Sequence, residues 1–144
     1  MVTRRSAKSK GRSFEKDILK DIQLSFGLSD SDISQVAASV NGVDIKLLSD
    51  KAYTKFPFSV ECKRQEKLNI YDAVEQSIKN KLDNTYPLVV HKKNHKPTLV
   101  TLLWSDFLSI LSNKKTEPTK DNQDLEKVLK VLNEIRQDII RMMD

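Results

Sequence analysis

The chain has 144 residues, 31% of them charged, with a mean hydropathy of -0.50, a net charge of +5 and a pI near 9.3. Its length suits one domain with a core plus an appendage, and no run approaches the roughly 18 apolar residues of a membrane span. The lone cysteine, Cys62, excludes an internal disulfide and fits a reducing cytoplasm, while 3 glycines leave nothing for a Gly-rich phosphate loop.

Residues 1–12 carry Arg4, Arg5, Lys8, Lys10 and Arg12 with little apolar content, and read as a flexible basic arm for phosphate contacts. From Ser13 the apolar residues Phe14, Ile18, Leu19, Ile22 and Phe26 form a helical stripe, with Ser13 as N-cap and Gly27 as C-terminal stop. A Ser- and Asp-rich stretch follows, with a short strand near 33–36. Asn41-Gly42 marks a turn into a strand over 43–48; 51–56 reads as a loop and 58–64 as a second strand, antiparallel to the first. Residues 70–82 predict a helix with Tyr71, Val74, Ile78 and Leu82 on one face. Strands over 88–91 and 98–103 flank the turn HKKNHKP, and a short helix covers 107–111. A polar linker spans 112–120.

The last segment, 121–144, predicts one helix. Leu125, Val128, Leu132, Ile135, Ile139 and Met142 repeat with 3-4-3-4-3 spacing, an a/d seam that suits pairing with a second copy. This segment holds six acids and four bases, a net of -2, so the rest of the chain carries +7. A basic body suggests an anionic partner. Helix, strands, inserted helix, strands and helix together predict an α/β domain with a mixed sheet, its body over 13–111.

Chemistry concentrates in Phe58-Ser59-Val60-Glu61-Cys62-Lys63. Strand alternation sends Phe58, Val60 and Cys62 into the core and sets Ser59, Glu61 and Lys63 on the opposite face. Asp44, at the start of the preceding strand, lies near Glu61 if the two strands pair. Two carboxylates and an amine form a set that phosphodiester hydrolysis uses. Asp44, Glu61 and the backbone carbonyl of Cys62 would hold Mg²⁺, and Lys63 would position water or meet charge on the phosphate. Cys62 itself reads as a core thiol, with no partner histidine to activate it.

Asp44 and Glu61-Cys62-Lys63, with the order of elements around them, resemble the PD-(D/E)XK nuclease superfamily. Within it the likeness is to archaeal-type Holliday junction resolvases and related phage endonucleases, over roughly residues 10–111. Lys10-Gly11-Arg12-Ser13-Phe14-Glu15 resembles their opening helix, Asn41-Gly42-Val43-Asp44-Ile45 the segment with the first metal ligand, and Gln76 a glutamine of the following helix. Val43 stands where the family often has proline. The resemblance implies a restriction-endonuclease-like fold, Glu15 and Gln76 as supporting site residues with Glu15 a further metal ligand, and Mg²⁺ replaceable by Mn²⁺. It also implies cleavage of branched DNA by a homodimer in a bacterial or phage-infected cytoplasm. Lys67, Asn69, Lys92, Lys93 and Lys96 are further candidates for DNA contact. A restriction-type or nicking enzyme on duplex DNA, and a DNA-binding module with a decayed site, are the competing readings.

Overall fold

The computed structural model describes residues 3–113 and 120–143. It divides into two units between Phe107 and Leu108. The first opens with helix α1, Arg4–Phe26. Residues 4–12 are therefore helical, not a flexible arm, and Ser13 lies inside the helix. The cap is Thr3, whose hydroxyl accepts from the Ser6 amide at 3.2 Å. Once capped, Arg, Ala and Lys extend a helix with little propensity penalty, and the buried stripe downstream supports propagation. Gly27 ends α1 in the left-handed region at φ 63°, as its position suggested.

Strands β1 (Ile33–Gln35), β2 (Ile45–Leu47), β3 (Phe58–Arg64), β4 (Tyr86–Lys92) and β5 (Leu99–Thr101) form one sheet in chain order. All neighbours are antiparallel except β3 and β4, which are parallel. That pair needs a crossover, supplied by α3 (Ile70–Asn80). The mixed sheet with flanking helices matches the expected restriction-endonuclease-like class.

Phe14, Ile18 and Ile22 of α1 share a core with Ile33, Ile45, Val60, Leu88 and Val90. Between β2 and β3 the expected loop is instead α2 (Asp50–Lys55), capped by Ser49 and buried through Ala52. Six residues are too few for a helical period to show in the sequence.

The face that α3 buries also departs from expectation. Ala73 and Ser77 are buried, whereas Tyr71 is 81% exposed and Ile78 is exposed. Small side chains let the helix approach the strands closely. Its exit is anchored below by Ser59, whose hydroxyl bonds Thr85 at 2.6 Å and accepts from the Leu82 amide at 2.9 Å. Helix α4 (Trp104–Ser112) runs across the boundary between the units, and α5 (Lys120–Met142) belongs to the second. Most of the expected linker, 114–119, lies outside the described residues, as do residues 1 and 2.

Candidate active site

Alternation along β3 produces the expected division of faces. Val60 is buried in the α1 core with Phe58 and Cys62 packed against it. Glu61 and Ser59 are also buried, at 3% and 1% exposure. Lys63 reaches back to Glu61, with its Nζ 3.1 Å from Oε1. Its ammonium also donates to Oε1 of Gln76 at 2.9 Å, so α3 fixes the lysine from above. The other carboxylate oxygen, Oε2 of Glu61, is buried with no hydrogen-bond partner. A buried carboxylate oxygen left bare is costly unless something binds it.

Asp44 sits just before β2 and is tied to β3 twice. Its amide donates to the Val60 carbonyl at 3.1 Å, and its Oδ2 accepts from the Cys62 amide at 2.7 Å. On a strand the N–H and C=O of one residue point to the same side. The Cys62 carbonyl therefore faces the Asp44 side of β3. Gly42, at φ 121°, makes the turn that brings Asp44 in, a conformation that a side chain would strain. Asn80, at the end of α3, donates to the Gly42 carbonyl at 3.3 Å. Asp44, Glu61, Gln76 and Asn80 line one cleft of about 430 Å³.

Electrostatics mark the same place. Burial pushes the Asp44 carboxyl up to about 6; the Cys62 amide opposes this, and the charges of Glu61 and Glu15 add to it. Glu61 is raised as well, by burial first, with Lys63 pulling the other way. Burial also drives the Cys62 thiol far up, with the charge of Asp44 next, so it is no nucleophile at neutral pH.

Glu15 lies across a second cleft of about 240 Å³ that also includes Asp44. Its Oε2 is held by Arg12 at 2.7 Å and by Gln35 at 2.9 Å. Arg12 donates further to the Val36 carbonyl at 2.6 Å, so this guanidinium is engaged within the protein, unlike the exposed Arg4, Arg5, Lys8 and Lys10. Gln35 was missed in the sequence: a polar residue on a three-residue strand gives no signal. Asn80 was missed for the same lack of pattern.

Among the described residues, no three His, Cys, Asp or Glu side chains gather into a group able to enclose a metal ion. Asp44 and Glu61 line one cleft, and Glu15 does not join them in such a group. A pair still fits Mg²⁺, which binds through one or two carboxylates and keeps several waters. The bare Oε2 of Glu61 is the mark of that fit.

The remaining candidates are spread around this centre. Lys67 is exposed, and Asn69 caps α3 by accepting from the Asp72 amide at 3.2 Å. The turn with Lys92, Lys93 and Lys96 is pinned behind Lys63: Arg64 donates to Asn94 at 3.2 Å, and the Asn94 amide donates to Glu66 at 2.7 Å. In the second unit, Leu125, Val128, Leu132, Ile135, Ile139 and Met142 of α5 are all about half exposed or more.

Residues 6–139 match the model of the family described as "Phage putative PDDEXK endonuclease". The chain belongs to this family. No curated protein and no solved structure matches it. Membership carries nuclease chemistry and a tie to phage endonucleases. No helix of the described residues is long and apolar enough to cross a membrane.

Proposed function

We propose that this PDDEXK protein is a metal-dependent endodeoxyribonuclease that cuts branched DNA, with four-way junctions as its substrate. The observation that carries the catalytic part is the unpartnered, buried Oε2 of Glu61 in a cleft shared with Asp44. The motif that names the family supports this reading: Val43-Asp44 would stand for its PD, with valine in place of proline, and Glu61-Cys62-Lys63 for its EXK. Asp44, Glu61 and the Cys62 carbonyl would hold Mg²⁺ or Mn²⁺. When bound, the ion supplies Lewis-acid polarisation of the phosphate and activation of the attacking water.

The chain's own residues do the rest. Lys63, oriented by Gln76, faces the phosphate with a fixed positive charge that counters charge developing on its oxygens. Glu61, paired with Lys63, keeps that ammonium in place. The buried position of Glu61 and the half-buried position of Asp44 restrict water and strengthen each electrostatic contact. Arg12 and Gln35 keep Glu15 beside Asp44, where its charge adds to the negative potential that attracts a cation. Exposed Arg4, Arg5, Lys8, Lys10, Lys67, Lys93 and Lys96, with Lys92, would hold the strand backbones.

A four-way junction has approximate two-fold symmetry and needs two matched cuts. The heptad seam of α5 supports a homodimer that presents two sites. The test compares Mg²⁺-dependent cutting of a four-way junction, a flap, a linear duplex and a single strand, by the wild type and by Glu61→Gln. The expected result is junction cutting by the wild type alone. Preference for the linear duplex would favour a restriction-type enzyme, and no cutting of any substrate would leave a binding module.

A further inference from the structure

Beyond the carboxylate cleft lies a larger pocket of about 530 Å³. This is within the ~300–1,000 Å³ typical of small-ligand pockets. Leu68, Pro97 and Leu99 wall it, and Lys92, Lys93 and Lys96 rim it; no acidic residue lines it among the described residues. A smaller recess connects the two places. That recess, of about 190 Å³, is lined by Lys63, Leu68, Asn69 and Gln76 among others. It shares Gln76 with the Asp44–Glu61 cleft and Leu68 with the lysine-rimmed pocket. The lysine turn is held in place by the Arg64–Asn94 and Asn94–Glu66 bonds directly after Lys63. One DNA strand laid over Lys63 would therefore run from the carboxylates to this pocket.

The pocket joins apolar walls to a ring of cations. A nucleotide joins an apolar, flat base to anionic phosphates. A base paired inside a duplex cannot enter a recess between side chains, whereas an unpaired one can, and apolar walls suit its faces. We propose that this pocket receives an unpaired nucleobase of the bound strand, with Lys92, Lys93 and Lys96 on its flanking phosphates. The inference rests on the nuclease reading above. It adds a reason for the preference for branched DNA, because a branch point offers unpaired or easily unpaired bases.

The test uses the full chain in Ca²⁺, which blocks cleavage without removing divalent charge. The probe is 2-aminopurine, placed either as a single unpaired bulge in a duplex or at a paired position. With the wild type, emission of the unpaired probe rises as it leaves its stacked neighbours, and the bulged duplex binds more tightly than the paired one. Leu99→Asp alters a side chain already 55% exposed, so the fold should survive, which a melting curve checks. It should remove the emission rise and reduce the preference for the bulge about tenfold. Leu68→Gln, at another lining residue, should do the same. Unchanged emission and preference in both variants would overturn the proposal. So would a switch from dimer to monomer in Leu99→Asp with unchanged emission, which would make the pocket a protein interface. A parallel Mg²⁺ cleavage assay separates the two readings: a wild type that binds the bulge but cuts nothing defeats the nuclease assignment and leaves the pocket standing.

Discussion

Replacing Asp44 by Asn should stabilise the protein at neutral pH while abolishing its activity. The carboxyl is pushed from 3.8 to about 6, mainly by burial. At ~1.4 kcal/mol for each pH unit, the charged form is disfavoured in the fold by up to about 3 kcal/mol. Asp44 is only partly buried, so solvent screening reduces this to about 1–2 kcal/mol. The sign follows from proton binding. The folded state holds the proton more tightly, so the wild type loses stability as pH rises from about 4 to about 6. Asparagine has no charge to lose. The two proteins should therefore match near pH 4 and separate above pH 6, with Asp44→Asn melting about 3–7 °C higher at pH 7.5. The assay is thermal unfolding in EDTA across that range. Adding Mg²⁺ at ten times its Kd should return about 1.4 kcal/mol to the wild type and nothing to the variant. A variant less stable at pH 7.5, or a gap that does not change with pH, would refute the electrostatic reasoning.

Three further outcomes bear on the same account. Lys63→Ala should lower the cleavage rate about 10²–10³-fold with DNA affinity in Ca²⁺ nearly unchanged, because in the proposed site its ammonium, held by Gln76 and Glu61, would face charge that develops only during reaction. Cys62→Ala should retain cleavage, measured on the same substrate, since the thiol sits on the core side of β3 and only its backbone meets Asp44. Deleting residues 121–144 should give a monomer by sedimentation, and a dimer that persists would remove the role given to the α5 seam.

The sequence disclosed β3 most fully, because alternation over seven residues leaves little freedom in which side chains share a face. Asp44 was legible through Gly42, whose turn fixes where β2 begins. Gln76 was legible only through resemblance; by pattern it is a surface glutamine, and its bond to Lys63 is a tertiary fact. Three features had no readable signal. Residues 4–12 look like a charged tail until a cap and a packed helix downstream are known. In α3, packing through Ala73 and Ser77 overrode the larger apolar stripe of Tyr71 and Ile78. Gln35 and Asn80 act through long-range hydrogen bonds, which no local period encodes.

Anomalous scattering from crystals soaked in Mn²⁺ addresses the two-carboxylate site most directly. The expected map has one strong peak within about 2.0–2.3 Å of oxygens from both Asp44 and Glu61, absent in Glu61→Gln. A peak that touches neither residue, or one that persists undiminished in the variant, would contradict it.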